Sequence, residues 1–60
     1  MDWRQIEAAL VAIARDYGFD LQQHSDSGDC LALGAINIGD TIDDLNLTEL
    51  AKDLARELSR

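Results

Sequence analysis

The sequence lacks most of the groups that usually stabilise a small protein or give it chemistry. Its 60 residues include one cysteine, Cys30, one histidine, His24, and no proline. One cysteine excludes a disulfide within the chain, and these two residues cannot supply the ligands of a structural zinc site. A core of this size rarely provides more than about 3–5 kcal/mol of net stability. We therefore expect the chain to gain stability by binding another chain.

Basic residues are scarce as well. Five Lys and Arg residues stand against twelve Asp and Glu residues, which gives a net charge of −7. Direct binding of DNA or RNA depends on Lys and Arg side chains that neutralise phosphates, so we predict no direct contact with nucleic acid. The charge favours a larger, basic protein as partner, although a net negative charge also keeps a small, apolar-rich protein in solution.

Long apolar runs are missing from the sequence. No stretch approaches the roughly 18–20 apolar residues of a membrane span, and the N-terminus has no apolar signal core. A single cysteine without a secretion signal is typical of a reducing compartment. We therefore predict a cytoplasmic protein that has no membrane association.

Two segments have the apolar spacing of amphipathic helices. In residues 2–17, Asp2 suits the N-cap and Gly18 suits a left-handed C-cap. The apolar positions recur every three or four residues and predict a core stripe on one face: Trp3, Ile6, Leu10, Ile13 and Tyr17. The second helix is predicted from a capping box at Asn46 and Glu49 to about residue 59.

The segment between the helices has the pattern of a β-hairpin followed by a connector. Residues 19–24 alternate between apolar and polar side chains, and residues 25–29 are rich in turn formers. Residues 30–38 are apolar on both faces, and Gly34 in their middle indicates a bulge or a close backbone approach. We predict that residues 39–46 are a connector with one helical turn.

These elements predict one α+β domain over residues 1–60, with the order α-β-β-α. Two helices would pack on one face of an antiparallel hairpin. Because an isolated two-stranded ribbon is marginally stable, and because a strand that is apolar on both faces needs cover on both, we expect completion by a second chain. The prediction is a homodimer with a four-stranded sheet, or a hetero-complex that replaces it.

Two clusters deserve consideration as chemical sites, and neither fits one. The acids after residue 39 suggest a calcium loop, but counting from Asp40 places Leu45 where the turn glycine is needed. His24 and Cys30 flank a turn and could pair, but a hairpin turn leaves them in water without a pocket for a substrate. We predict no catalytic, metal or cofactor site, no small-molecule substrate, and no enzyme activity.

The leading functional hypothesis is a non-catalytic protein–protein interaction module. It would act as a small acidic inhibitor or regulator that occupies a surface of a larger protein, like those that phages and mobile elements carry. Alternatives are an acidic mimic of nucleic acid that blocks a DNA- or RNA-binding protein, and a homo-oligomeric structural subunit. The predicted partner-binding residues are a second stripe of the first helix (Arg4, Ala8, Val11, Arg15) and an acidic trio (Asp40, Asp43, Asp44).

Overall fold

A computed structural model of the protein describes residues 2–60. It has two helices and a three-stranded antiparallel sheet, in the order α-β-β-β-α. The elements are α1 (Trp3–Asp16), β1 (Asp20–Gln23), β2 (Cys30–Ile38), β3 (Thr41–Asn46) and α2 (Leu47–Leu58). The α+β class is confirmed, and the predicted two-stranded hairpin is wrong because it lacks a strand.

The ends of α1 are set by local chemistry that the sequence displays. The side chain of Asp2 accepts a hydrogen bond from the Arg4 amide at 3.1 Å, which caps the N-terminus. At the other end, Gly18 has a φ of +86°. The amide of Gly18 donates to the Arg15 carbonyl and that of Phe19 to the Ala14 carbonyl, each at 3.0 Å, which is the pattern of a Schellman motif.

The third strand, β3, corrects the prediction of a connector over residues 39–46. A two-residue turn at Gly39 and Asp40 joins it to β2, and Ile38 pairs with Thr41 across the turn. Gly39 has a φ of +59°, as the first position of a type II′ hairpin turn requires. The Asp residues that follow are poor strand formers, but pairing along β2 overrides that local preference.

The centre of β2 contains a β-bulge at Gly34, as the sequence predicts. The register between β2 and β3 shifts between Ala32 and Ile36, and Gly34 has a φ of +66°. Its amide donates to a carboxylate oxygen of Asp44 at 2.8 Å, so a side chain replaces the missing ladder bond. On the other side of β2, β1 pairs in regular register from Asp20 opposite Leu33 to Gln23 opposite Cys30.

The second helix follows β3 without a loop. Asn46 is both the last strand residue and the N-cap, and its side chain accepts from the Glu49 amide at 3.0 Å. The predicted helix start is therefore confirmed. The start of α1 packs beside the middle of α2, where Lys52 lies 4.9 Å from the centroid of the Trp3 ring.

The core is small and contains mostly short side chains. Both helices pack on one face of the sheet, where Ala14 of α1, Ala32 of β2 and Leu47 of α2 form a buried cluster. The predicted core stripe of α1 is correct at Ile6 but wrong at Ile13 and Tyr17, which are 51% and 79% exposed. Two such chains joined edge to edge would form a six-stranded sheet instead of the predicted four-stranded one. Dimerisation itself stays a prediction.

Candidate binding groove

An open apolar groove lies between the end of α1, the start of α2 and the sheet. Its volume is about 210 Å³. Every residue that lines it is apolar apart from the hydroxyl of one tyrosine, and together they are Leu10, Ile13, Ala14, Tyr17, Phe19, Ala32, Ala35, Leu45, Leu47 and Leu50. The helices and the sheet therefore meet at this point without enclosing the space between them.

The groove exists because alanines from facing elements meet where larger side chains would be needed to fill the space. Ala14 comes from α1, and Ala32 and Ala35 come from β2 on either side of the bulge at Gly34. Protein interiors are normally packed as tightly as organic crystals, so three methyl groups facing each other leave a hollow. The bulge contributes by letting two residues an odd number of positions apart reach the same groove.

The mouth of the groove carries large apolar side chains in contact with water. Tyr17 is the C-cap of α1 and Phe19 follows the Gly18 turn, so the Schellman motif places both at this end of the helix. Phe19 is 42% exposed, and Ile13 and Tyr17 are more exposed still. Clustered apolar exposure of this kind marks interaction surfaces more often than isolated exposed residues do.

The size of the groove favours side chains over whole ligands. Sites for drug-sized molecules usually measure about 300–1,000 Å³ and enclose most of the ligand surface. A volume near 210 Å³ that is open on one side accommodates a few apolar side chains of a docked chain. Such buried anchors contribute most of the free energy at protein interfaces.

The charge of the molecule is concentrated away from α2. Residues 47–60 contain three acidic and three basic residues, whereas residues 1–46 contain nine acidic and two basic ones. Within the described part of the chain, the three ion pairs all lie in residues 47–60: Lys52–Glu49, Arg56–Asp53 and Arg60–Glu57. The sheet segment, residues 20–46, has six Asp residues and no Lys or Arg.

The interhelical space has a closed end, nearer the start of α1, where a hydrogen-bond relay joins the elements. The hydroxyl of Thr48, which is 4% exposed, accepts from the Cys30 amide at 2.9 Å and donates to Glu7 at 2.6 Å. One side chain thereby connects α1, β2 and α2. Ala51, one turn further along α2, is fully buried at this end.

The predicted second stripe of α1 is split between surface and core. Arg4, Ala8 and Arg15 are exposed, but Val11 is half-buried and packs against the Ala14–Ala32–Leu47 cluster. The Arg4 guanidinium carbon lies 5.3 Å from the centroid of the Trp3 ring. A change at Val11 would therefore disturb packing, and it cannot serve as a clean probe of binding.

The acidic trio is exposed but belongs to different local structures. Asp40 lies in the β2–β3 turn, and Asp43 and Asp44 lie in β3. Asp44 anchors the bulge at Gly34, while a carboxylate oxygen of Asp43 accepts from the Asp44 amide at 2.9 Å. Because β3 pairs with β2 whereas α1 packs mainly on α2 and β1, the structure does not bring the trio and the α1 stripe into one site.

His24 and Cys30 flank the β1–β2 turn, and no hydrogen bond joins their side chains within residues 2–60. The Nδ1 atom of His24 accepts from the amides of Asp26 and Ser27 at 3.2 and 3.4 Å, which organises the turn. Burial raises the pKa of the Cys30 thiol above its ordinary value, the negative charge of Glu7 raises it further, and Arg15 opposes them. A raised pKa leaves less of the reactive thiolate at neutral pH.

The groove itself was missed in the sequence because its residues have an ordinary helical spacing. Leu10, Ile13 and Tyr17 were assigned to the core, where that spacing normally leads. A usable signal is the small size of two strand residues, since Ala32 and Ala35 interrupt an otherwise Leu- and Ile-rich strand. Large residues on one element opposite alanines on another indicate a space that nothing in the chain fills.

Comparisons with known proteins provide no relative from which a function could be inferred. No protein-family model matches the chain, and searches of curated proteins and of solved structures find no significant match. Neither helix within residues 2–60 has the length and apolar character needed to cross a membrane. Over the same residues, no three His, Cys, Asp or Glu side chains are grouped closely enough to hold a metal ion.

Proposed function

We propose that this protein is a non-catalytic protein–protein interaction module, a small acidic inhibitor or regulator that occupies a surface of a larger, basic protein. The observation that carries the proposal is the open groove lined by apolar side chains of all the elements around it. Its occupant is an apolar side chain, or a pair of them, projecting from the partner.

Energetics support occupation of the groove. Burying apolar surface contributes roughly 25 cal/mol per Å² removed from water. Ile13, Tyr17 and Phe19 keep a large part of that surface exposed in the isolated chain, so a partner that covers them gains this free energy. The chain itself also gains, because its own core holds no large side chain that is fully buried among the described residues.

The experiment compares three forms of the full chain as bait: wild type, Ile13→Ser and Ile38→Ser. Ile13 lines the groove, whereas Ile38 lies at the far end of β2 and is 74% exposed. Nuclease-treated lysate of the source cells is passed over each bait at low and moderate salt. We expect one protein to bind wild type and Ile38→Ser at both salts and to be lost from Ile13→Ser.

Equal recovery on all three baits would contradict the groove as the binding site, and recovery of no protein at either salt would contradict the module itself. Thermal unfolding of each bait is the necessary control. Both substitutions remove a solvent-exposed isoleucine, so both variants are expected to remain folded. Loss of binding by Ile13→Ser can then be attributed to the groove.

A second candidate function, an acidic mimic of nucleic acid, is favoured by one observation. The sheet segment carries six Asp residues without a Lys or Arg to compensate them. A protein that binds nucleic acid presents Lys and Arg to phosphates, and a carboxylate surface can occupy the same groups. This function predicts that duplex DNA competes for the captured partner and that capture falls steeply with salt, whereas groove binding persists at moderate salt.

Self-association is the remaining proposal, as a homodimer of a structural subunit. It would cover the exposed apolar side chains with a second copy, but two chains that each carry −7 repel each other. Sedimentation equilibrium between about 1 and 100 µM decides it. A dimeric mass that persists at the lowest concentration and becomes monomeric in Ile13→Ser would favour self-assembly over a heterologous partner.

A further inference from the structure

We infer, on the basis of the proposed function, that the segment which enters the groove carries a large apolar anchor with Lys or Arg on either side of it. The charges around the mouth of the groove favour an occupant of this chemistry. The occupant is a basic segment of another protein and not a second copy of this chain.

Carboxylates adjoin the groove-lining residues along the chain. Asp16 precedes Tyr17, and Asp20 follows Phe19, so each lies one residue, about 3.8 Å between Cα atoms, from the mouth. Both are exposed, and neither forms an ion pair with any residue between 2 and 60. Their charges are therefore available to a docked chain.

The sheet segment adds to the negative field around the molecule. Residues 20–46 carry six Asp and no Lys or Arg, and the sheet supplies part of the groove lining. The one basic residue next to the groove is Arg15, between Ala14 and Asp16. The carboxylates of Asp16 and Asp20 against the one guanidinium of Arg15 leave the mouth of the groove negative.

A second copy of the chain is a poor occupant for this surface. Outside the groove, its exposed large apolar side chains among the described residues are Ile38, Ile42 and Leu58. Ile38 and Ile42 flank the turn that contains Asp40. Leu58 lies between Arg56 and Arg60, whose charges are already paired with Asp53 and Glu57. Inserting Ile38 or Ile42 would bring carboxylates against carboxylates, and like charges placed together at an interface weaken binding. A segment with Lys or Arg beside its apolar anchor meets the same surface with complementary charge.

The test selects randomised 12-residue peptides displayed on phage against the immobilised full chain, with removal of phage that also bind Ile13→Ser. We expect the surviving peptides to share a large apolar residue flanked by Lys or Arg. A synthetic peptide of the consensus sequence is then titrated against purified variants, with fluorescence anisotropy as the readout.

Two variants with matched charge changes separate groove electrostatics from total charge. The double variant Asp16→Asn with Asp20→Asn removes the carboxylates at the mouth. The control, Asp26→Asn with Asp53→Asn, removes two charges from the β1–β2 turn and from α2. We expect peptide affinity to fall roughly tenfold for the first and less than twofold for the second, as nearby charges outweigh distant, screened ones.

The outcomes distinguish this inference from the function on which it rests. Peptides that need Ile13 but carry no basic residues, or an affinity unchanged in Asp16→Asn with Asp20→Asn, would overturn the inference and leave the binding module intact. Failure to select any peptide that depends on Ile13 would also overturn it. If Ile13 has no effect on lysate capture either, the proposed function fails with it.

Discussion

The two ends of the space between the helices are built in opposite ways. At one end, Thr48 donates to Glu7 and accepts from the Cys30 amide, so three elements are joined through a buried hydroxyl. At the other end, alanines line the space between the same two helices and the sheet, and Ile13 and Tyr17 stay in contact with water. The closed end supplies stability and specific geometry, and the open end keeps apolar surface available for binding.

The two ends also differ in what a substitution should do. At the closed end the buried hydroxyl of Thr48 has two hydrogen-bond partners, so its removal leaves both without that bond. At the open end the side chains have few neighbours, so their removal costs little stability and their enlargement can add some. Stability and binding should therefore respond to different residues.

The largest effect is expected from Thr48→Val. The substitution keeps the shape of the side chain but leaves the Cys30 amide and Glu7 without their shared partner, which costs about 1–3 kcal/mol. Urea denaturation measures the loss, and Thr48→Ser, which retains the hydroxyl, should lose about 1 kcal/mol for the missing methyl. Equal losses in the two variants would show that packing, and not the relay, closes this end.

The next effect is expected from Gly34→Ala, which tests the bulge that brings Ala35 to the groove floor. The nearest atom to an added Cβ is the Cγ2 of Ile42 at 3.7 Å, an ordinary contact. The loss of about 1–2 kcal/mol therefore comes from the left-handed backbone alone. Gly34→Asn should lose less, because Asn tolerates this conformation, and urea denaturation compares the two variants. A loss below 0.5 kcal/mol for Gly34→Ala, on the order of experimental error, would contradict the bulge geometry.

Ala35→Leu should act in the opposite direction and sharpen the contrast between the ends. A leucine at this half-buried position extends into the groove and should stabilise the fold by about 0.5–2 kcal/mol. The same variant should no longer capture the partner, because the volume is occupied. Thermal unfolding and the lysate experiment are read together. A variant that is less stable than wild type would show that the groove has no room for these atoms.

The smallest effect is expected from the Cys30 thiol at alkaline pH. Its pKa is raised in the folded chain from an ordinary value of 9.0, chiefly by burial. The stability it contributes is therefore fully present below pH 9.0 and is lost as pH rises through the raised value. Between pH 8 and 11 the unfolding free energy of wild type should fall slightly more steeply than that of Cys30→Ser. Parallel curves would contradict the shift.

Local signals in the sequence predicted the helices well. Asp2 and Asn46 act as N-caps, and Gly18 ends α1, because each effect depends on a few neighbouring residues. The bounds of β2 were also predicted, since nine consecutive residues are mostly apolar. The strand β3 was missed because its Asp residues have no intrinsic preference for a strand, and its partner lies elsewhere in the chain.

The candidate site was less accessible to sequence reasoning than the fold. The spacing of Ile13 and Tyr17 predicts burial, but both line an open groove because burial depends on what faces them. Ala35 faces them because the bulge at Gly34 changes the register of β2. The spacing of Val11 likewise predicts an exposed residue, but the Ala14–Ala32–Leu47 cluster covers part of it after folding.

By itself, the sequence determined the charge of the protein, the ends of its helices and the class of its fold, because these depend on composition and on contacts between near neighbours. The tertiary structure alone decided that residues 41–46 form a strand, that Thr48 joins three elements, and that Ile13 and Tyr17 line a groove. Those outcomes depend on residues far apart in the chain, whose sizes and hydrogen-bonding groups meet only after folding.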